Sequence, residues 1–241
     1  MIISHRYRYL FVELPRTAST AISHELRELY DGKSILRKHA TYRDFLKVAT
    51  PEEQQYFVFS AIRNPLDDAV SLYFKYRSNH KQRFSDPEKL QKRRRLADYV
   101  ARIKFRYIHE READFPTYFR RFYRIPYNNW SDLSHHEFDF VIRFENLQAD
   151  FARVLQLLGI EQQRPLPEVN RTSGKRRDYL AYYTPDIIPR ARRVFGPYMK
   201  QWGYTFPPEW GETEVPWYHQ AEFEFYNLFR GLYWRYLRAR I

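Results

Sequence analysis

Residues 9–21 read YLFVELPRTASTA, a sequence that changes from the pattern of a strand to that of a helix. Its first four residues are apolar and Pro15 follows closely, which predicts a short buried strand. Apolar residues then recur at helical spacing from Ile22 to Leu29, so we expect a helix that begins near residues 19–20. A strand that leads directly into a helix is the repeating unit of α/β folds.

The same order of strand and helix occurs twice more. Residues 56–62 are rich in aromatic and β-branched side chains and precede an Asn-Pro pair, a favourable helix start. Residues 138–144 predict another strand, which is followed by a helix that ends at Gly159. Residues 34–36 could add a short strand. These units predict an α/β fold with a central, mostly parallel sheet and helices on both faces.

The composition narrows the classes of partner. The 241 residues suffice for one domain, 19% of them are aromatic, and the formal net charge is +12. This charge favours a polyanionic partner, such as nucleic acid, anionic lipid, an acidic glycan or a phosphorylated nucleotide, without choosing among them. The chain has no cysteine, which excludes disulfides and cysteine catalysis. No run of about 18 apolar residues occurs, so we expect no membrane-spanning helix.

The loop after the first strand has the properties of a phosphate site. A strand-to-helix turn directs backbone N–H groups and the helix dipole towards one point, although an ordinary capped helix would start in the same way. The glycine-lysine pattern of nucleotide triphosphatases is absent, which disfavours a metal-dependent kinase. The residues that we expect to bind phosphate are Arg16, Thr17, Ala18, Ser19, Thr20 and Ala21.

A second candidate site lies in the stretch AIRNPLDDAVSLY, residues 61–73. Arg63 ends a predicted strand, and Ser71 follows Pro65 by about two helical turns. Ligands of parallel α/β sheets bind at the carboxyl ends of the strands, where an arginine and a hydroxyl could hold a second phosphate. Alone, an Arg-Asn-Pro sequence could be only a helix cap.

Together these motifs resemble those of the sulfotransferases that use 3′-phosphoadenosine 5′-phosphosulfate (PAPS) as donor. In that family a P-[KR]-[TS]-x-[ST]-T-like loop holds the 5′-phosphosulfate, and an R-N-P-x-D-x-x-x-S-x-Y motif holds the 3′-phosphate. The corresponding segments here are residues 15–20 and 63–73, and the similarity continues at residues 141–147, 170–172 and 195–206. The resemblance covers residues 7–206 and implies a three-layer, P-loop-like fold.

The resemblance also implies residue roles. The first loop would hold the 5′-phosphosulfate, and Arg63 and Ser71 the 3′-phosphate. Most relatives have a lysine where this chain has Arg16, and arginine keeps the charge but not the shape, so we expect binding with an altered rate. Lys175 and Arg176 are the counterpart of a late segment that closes over the nucleotide, although a solvated loop would have a similar sequence.

Transfer to a hydroxyl needs a base with a pKa near neutral, but no metal. His39 is the first candidate, because Lys38-His39 follows the short strand at the position where many relatives carry a catalytic histidine or glutamate. Lys38 would assist electrostatically. His135, His136 and Glu13 are weaker candidates for the base. His39 could also be a histidine that only fills a loop.

Of the two substrates, the acceptor is the one that the sequence determines less. Aromatic residues between 118 and 130 could form a platform for a sugar or belong to the core, and their helical spacing favours the core. Arg120, Arg121 and Arg124 could contact an acidic glycan, so we expect a carbohydrate acceptor. Two further functions stay open from the sequence: a nucleotide or small-molecule kinase and a basic nucleic-acid-binding module.

Residues 207–241 lie beyond the resemblance and predict an aromatic-basic helical extension. It could pack on the core, join two subunits or lie on an anionic membrane. We expect one sulfotransferase domain over residues 1–241, with its core at 7–206, in a cytoplasmic enzyme of bacterial origin that has no nucleic-acid partner.

Overall fold

The computed structural model describes residues 1–91, 96–129, 138–167, 174–176, 178–211 and 214–233. Within these ranges the strands are β1 (Ile2–Ser4), β2 (Tyr9–Phe11), β3 (Lys33–Ser34), β4 (Phe57–Ile62) and β5 (Phe140–Arg143). The α-helices in the same ranges are α1 (Ser19–Leu29), α2 (Tyr42–Leu46), α3 (Pro65–Arg77), α4 (Pro87–Gln91), α5 (Leu96–Glu110), α6 (Phe115–Phe122), α7 (Leu147–Leu157), α8 (Ile188–Gln201) and α9 (Trp217–Leu232). Short 3₁₀ helices span Glu53–Gln55, His80–Gln82, Phe144–Asn146, Leu180–Tyr182 and Pro208–Trp210.

The chain divides into two compact units. The first comprises Met1–Asn64 and Asn128–Arg171, and the second comprises Pro65–Tyr127 and Thr172–Ile241. The first unit contains the sheet. The second unit contains helices, as far as the structure describes it. The expectation of one functional domain stays a prediction.

The sheet of the first unit has the strand order β3-β1-β2-β4-β5. Strands β2, β4 and β5 are parallel, with Leu10 opposite Val58 and Ala61 opposite Ile142. Strand β1 pairs antiparallel with both β2 and β3, so the sheet is mixed. The α/β prediction is confirmed, and its parallel part is the three strands that precede the predicted helices. The β1–β2 hairpin was not predicted, because β1 has only three residues and lacks a strand-length pattern.

Helices cover both faces of this sheet, as predicted. Successive strand residues point to opposite faces. One face packs against α1 and α7, and the other packs against α2. The buried residues of the first face include Tyr9, Phe11, Phe59, Ala61, Ile142, Ile22, Leu26, Phe151 and Val154, and those of the second include Leu10, Val12, Val58, Tyr42 and Phe45.

The predicted boundaries shift by a few residues. Strand β3 ends at Ser34 rather than at residue 36, since Leu36 has a left-handed backbone with φ 53°. Helix α1 begins at Ser19 as predicted, and α3 begins at Pro65. The parallel strands therefore end at residues 11, 62 and 143, and the loops that follow them lie at one edge of the sheet.

The second unit has an aromatic core. Helix α3 contributes an apolar face, and α6 and α8 pack against it. Tyr118 and Phe119 are fully buried in this core, which confirms the core interpretation of these two aromatic residues. Trp130 lies outside the described residues.

Candidate functional site

The β2–α1 loop has the backbone expected of a phosphate site. Arg16 and Ala18 are left-handed, with φ 70° and 60°, although neither is a glycine. Such conformations cost about 1–3 kcal/mol and concentrate at functional sites. Ala18 is the N-cap of α1 and makes no side-chain capping bond. An alanine N-cap leaves first-turn N–H groups without a side-chain acceptor, so this helix start can receive an anion.

The side chains of the loop divide into buried and exposed ones. Thr17 and Ser19 are buried, and the Thr17 hydroxyl donates to the Leu14 carbonyl at 3.1 Å. Thr17 therefore holds the shape of the loop, whereas the sequence predicted its hydroxyl as a donor for the phosphate. Arg16 and Thr20 are exposed beside the helix start. The cation and one hydroxyl are thus presented to solvent at the end of β2.

The segment after β3 brings two predicted residues to this loop. Lys38 Nζ donates to Thr20 Oγ1 at 3.2 Å, and His39 Nδ1 lies 2.9 Å from the Glu13 carbonyl oxygen. A carbonyl only accepts hydrogen bonds, so Nδ1 carries the proton and Nε2 carries the lone pair of the neutral ring. This tautomer is the one that a base acting through Nε2 requires.

The surroundings of His39 favour the neutral ring. Burial lowers the pKa of His39, the Glu13 carbonyl opposes that shift, and the charge of Lys38 lowers the pKa further. The net pKa lies below the usual value, so the ring is neutral at pH 7. The left-handed backbone at His39, φ 63°, also marks a constrained position.

Glu13, the carboxylate candidate for the base, is already engaged. Its Oε1 accepts from the Ser23 hydroxyl at 2.7 Å, and its Oε2 accepts from the Met1 amino group at 2.8 Å. Burial would raise the pKa of Glu13, but these hydrogen bonds lower it overall. A carboxylate with a lowered pKa is a weak base. His135 and His136, the remaining histidine candidates for the base, lie outside the described residues.

The turn after β4 places Arg63 against the same loop. Arg63 Nη1 donates to the Arg16 carbonyl oxygen at 3.4 Å, and the guanidinium carbon lies 4.0 Å from the ring centre of Phe144. The Asn64 N–H donates to Glu145 Oε1 at 2.7 Å. The end of β5 therefore fixes the Arg63-Asn64 turn. In the sequence Phe144 and Glu145 stand out only as members of a motif, and the motif alone does not predict this supporting role.

In the second unit, Ser71 and Lys175 come together. Lys175 Nζ lies 3.1 Å from Ser71 Oγ and forms a salt bridge with the Asp67 carboxylate, one helical turn before Ser71. Asp67 and Ser71 are buried, and the Lys175 side chain is mostly buried. Asp67 was missed as a site residue, although the motif contains it.

The rest of the late basic segment is only partly described. Arg176 is exposed and is held through its backbone, whose N–H donates to the Tyr182 hydroxyl at 3.1 Å. Residues 170–173 and Arg177 lie outside the described residues. Lys175 is thus the member of the predicted closing segment that meets Ser71.

One group of potential metal ligands occurs in the described ranges. The ligand atoms of His24, Glu25 and Glu28 lie within 4.8 Å of one another. Arg164 occupies both carboxylates, with Nε 2.8 Å from Glu25 Oε1 and Nη2 2.5 Å from Glu28 Oε2. The group is therefore a salt-bridge network on α1.

Comparison with known families adds one finding. The family model described as "Sulfotransferase family" matches residues 1–204. The match includes the β2–α1 loop, the Arg63-Asn64 turn, Ser71 and Lys175, and it stops before residues 207–241. Comparisons with curated proteins and with solved structures found no match.

Proposed function

Because the chain belongs to the sulfotransferase family, we propose that it transfers a sulfuryl group from PAPS to an acceptor hydroxyl. The observation that carries the proposal is the group of cations and one neutral histidine around the β2–α1 loop: Arg16, Lys38, His39 and Arg63. A phosphosulfate group is an anion that such a loop and such cations can bind.

We assign the 5′-phosphosulfate to residues 16–21. The uncapped start of α1 offers backbone donors, and Arg16 and Lys38 add positive charge beside them. Arginine presents several donors in a fixed plane, so Arg16 can bind two oxygens of one anion. The Thr17 hydroxyl supports the loop from within, and we assign the Thr17 backbone to the phosphate site.

We assign the 3′-phosphate to Arg63 and Ser71 on the strength of the sequence motif. Two contacts support the assignment, each within its own unit. Phe144 orients the Arg63 guanidinium from one face. Lys175 lies against Ser71 and adds a cation there, and we propose that Arg176 contributes a further positive charge.

His39 is the proposed base. PAPS supplies the sulfuryl group when it is bound. His39 Nε2 takes the proton of the acceptor hydroxyl while the oxygen–sulfur bond to the acceptor forms and the sulfur–oxygen bond to the phosphate breaks. Arg16 and Lys38 stabilise the negative charge that develops on the departing phosphate.

We propose a carbohydrate acceptor that carries negative charge. Tyr118 and Phe119 belong to the core and offer no platform for a sugar ring. The support is therefore electrostatic, because Arg121 and Arg124 are exposed at the end of α6. The absence of cysteine from the sequence fits a reducing cytoplasm, where we place the enzyme.

Calorimetric titration with 3′-phosphoadenosine 5′-phosphate tests the donor. Wild type should bind this product without metal, and Arg63→Ala should weaken binding by about 10- to 100-fold, since a hydrogen bond to a charged group contributes about 1.5–3 kcal/mol. Arg153→Ala removes an exposed arginine of α7 and should bind as wild type does.

Two results would redirect the proposal. Preference for ATP with Mg²⁺ would indicate a kinase. Salt-dependent binding of long nucleic acid without affinity for the bisphosphate would indicate a nucleic-acid-binding module. Equal losses in Arg63→Ala and Arg153→Ala would remove Arg63 from the site.

A further inference from the structure

Helix α9 has an apolar face that is exposed along its whole length. Trp217 is 80% exposed, Leu228 62% and Phe225 58%, and further residues extend the same face. At 100° per residue these side chains lie on one side of the helix. The further exposed residues of this face are Tyr218, Phe229 and Leu232.

The buried side and one flank of α9 fix the helix to its own unit. Phe223 is buried, and Arg193 of α8 forms two hydrogen bonds with the Glu222 carboxylate, at 2.9 and 2.5 Å. Arg230 donates to the Pro126 carbonyl. The helix is therefore held so that its apolar face points away from α8.

The exposed face is at the upper end of the sizes that apolar patches reach on monomers. Six apolar residues that are 46% to 80% exposed amount to an area on the order of 600 Å², given about 150–250 Å² for a whole aromatic residue. The largest apolar patch of a typical monomer is about 300–600 Å² and is often functional. The face lies in residues 207–241, beyond the family match, so the sulfotransferase reaction does not account for it.

The positive charge of the chain favours an anionic partner for the apolar face of α9. The chain carries a net charge of +12, which repels a second copy and attracts an anionic surface. From Phe225 to the end, the sequence contains the arginines 230, 235, 238 and 240 and no acidic residue. Glu224 is an exposed acid beside the face, and it accepts from Gln220 at 2.8 Å.

We propose that α9 lies flat on an anionic lipid bilayer, with its apolar face inserted at the level of the headgroups. An aromatic face in a segment whose sequence is rich in arginine is typical of interfacial helices, and tryptophan and tyrosine prefer the headgroup region. Helix α9 has 16 residues, and no helix in the described ranges is long and apolar enough to cross a bilayer. The helix therefore rests on the membrane surface and anchors the enzyme there.

Vesicle co-sedimentation of the full chain tests the proposal. Vesicles of phosphatidylcholine with phosphatidylglycerol in equal parts should bind wild type at least about tenfold more tightly than phosphatidylcholine alone. The triple variant Phe225→Ser, Leu228→Ser, Phe229→Ser should bind anionic vesicles about 100-fold more weakly, because three apolar side chains lose their burial.

A matched control removes the same number of exposed apolar side chains elsewhere: Val48→Ser, Tyr99→Ser, Leu157→Ser. It should bind as wild type does. Circular dichroism reports whether each variant is folded, and if the α9 triple variant is not, Trp217→Ser replaces it. Trp217→Ser, at the first and most exposed position, should weaken binding by at least about fivefold.

Each contrary outcome overturns the proposal. Wild type that does not bind anionic vesicles excludes the lipid partner. If the α9 triple variant binds anionic vesicles as tightly as wild type does, charge alone accounts for the binding. Equal losses in the α9 variant and its control remove the special role of α9. If wild type does not bind vesicles but forms a dimer in solution, and the α9 triple variant is a monomer, the face binds a second copy of the chain.

Discussion

Replacing Phe144 tests whether the end of β5 prepares Arg63 for an anion. The guanidinium carbon of Arg63 lies 4.0 Å from the Phe144 ring centre, close enough for a full cation–π interaction. Phe144→Leu keeps an apolar side chain but removes the aromatic face. Since such contacts contribute about 1 kcal/mol, bisphosphate binding should weaken about fivefold. Phe144→Trp keeps the ring and should bind at least as tightly as wild type.

The assay is calorimetric titration with 3′-phosphoadenosine 5′-phosphate, combined in a double-mutant cycle with Arg63→Ala. If Phe144 acts through Arg63, Phe144→Leu has no further effect once Arg63 is gone. Thermal unfolding of each variant separates a binding effect from lost stability. A fivefold loss that persists in the Arg63→Ala background would refute the reasoning, because Phe144 would then support binding by another route.

Three further substitutions test the base and the core. His39→Gln should retain bisphosphate binding and should transfer about 10²- to 10⁴-fold more slowly to the acceptor that wild type sulfates best. An undiminished transfer rate would show that another residue is the base. In wild type the transfer rate should fall as the pH drops through the lowered pKa of His39. Lys38→Met should shift this fall to higher pH, because the Lys38 charge lowers that pKa. An unshifted pH profile would show that Lys38 does not influence the titration of His39. Phe119→Ala should lower the free energy of unfolding by about 3–5 kcal/mol in denaturant titration, since Phe119 is fully buried; a cost under about 1 kcal/mol would contradict the core assignment.

The parallel half of the sheet and its loops could be predicted because each carries a local signal. Strand β4 has six consecutive apolar or small residues, and the turn after it has an Asn-Pro pair that starts α3. The loop after β2 has small and hydroxylated residues beside one arginine. Such signals depend on neighbours in sequence, and the structure confirms the elements that rest on them.

The remaining features lack a local signal, because the strand is very short or because the partners are distant in sequence. Strand β1 has three residues and exists because Ile3 pairs with Leu10 on one side and with Lys33 on the other. The Asn64 N–H finds its acceptor 81 positions later, at Glu145. No local pattern encodes such pairings, so the β1–β2 hairpin and the support of the Arg63-Asn64 turn appear only in three dimensions.

The geometry of the β2–α1 loop offers a physical reason for Arg16, at the position where the resemblance implies a lysine in most relatives. Arg16 is exposed on a left-handed backbone, and its carbonyl accepts from Arg63, so hydrogen bonding of the backbone helps to hold it beside the start of α1. A lysine is nevertheless present at the loop, because Lys38 Nζ reaches Thr20 from the segment after β3. Lysine is a compact, mobile charge, whereas arginine is a planar fork. We therefore infer that Arg16 holds the anion in place and that Lys38 follows the charge that develops on the departing phosphate.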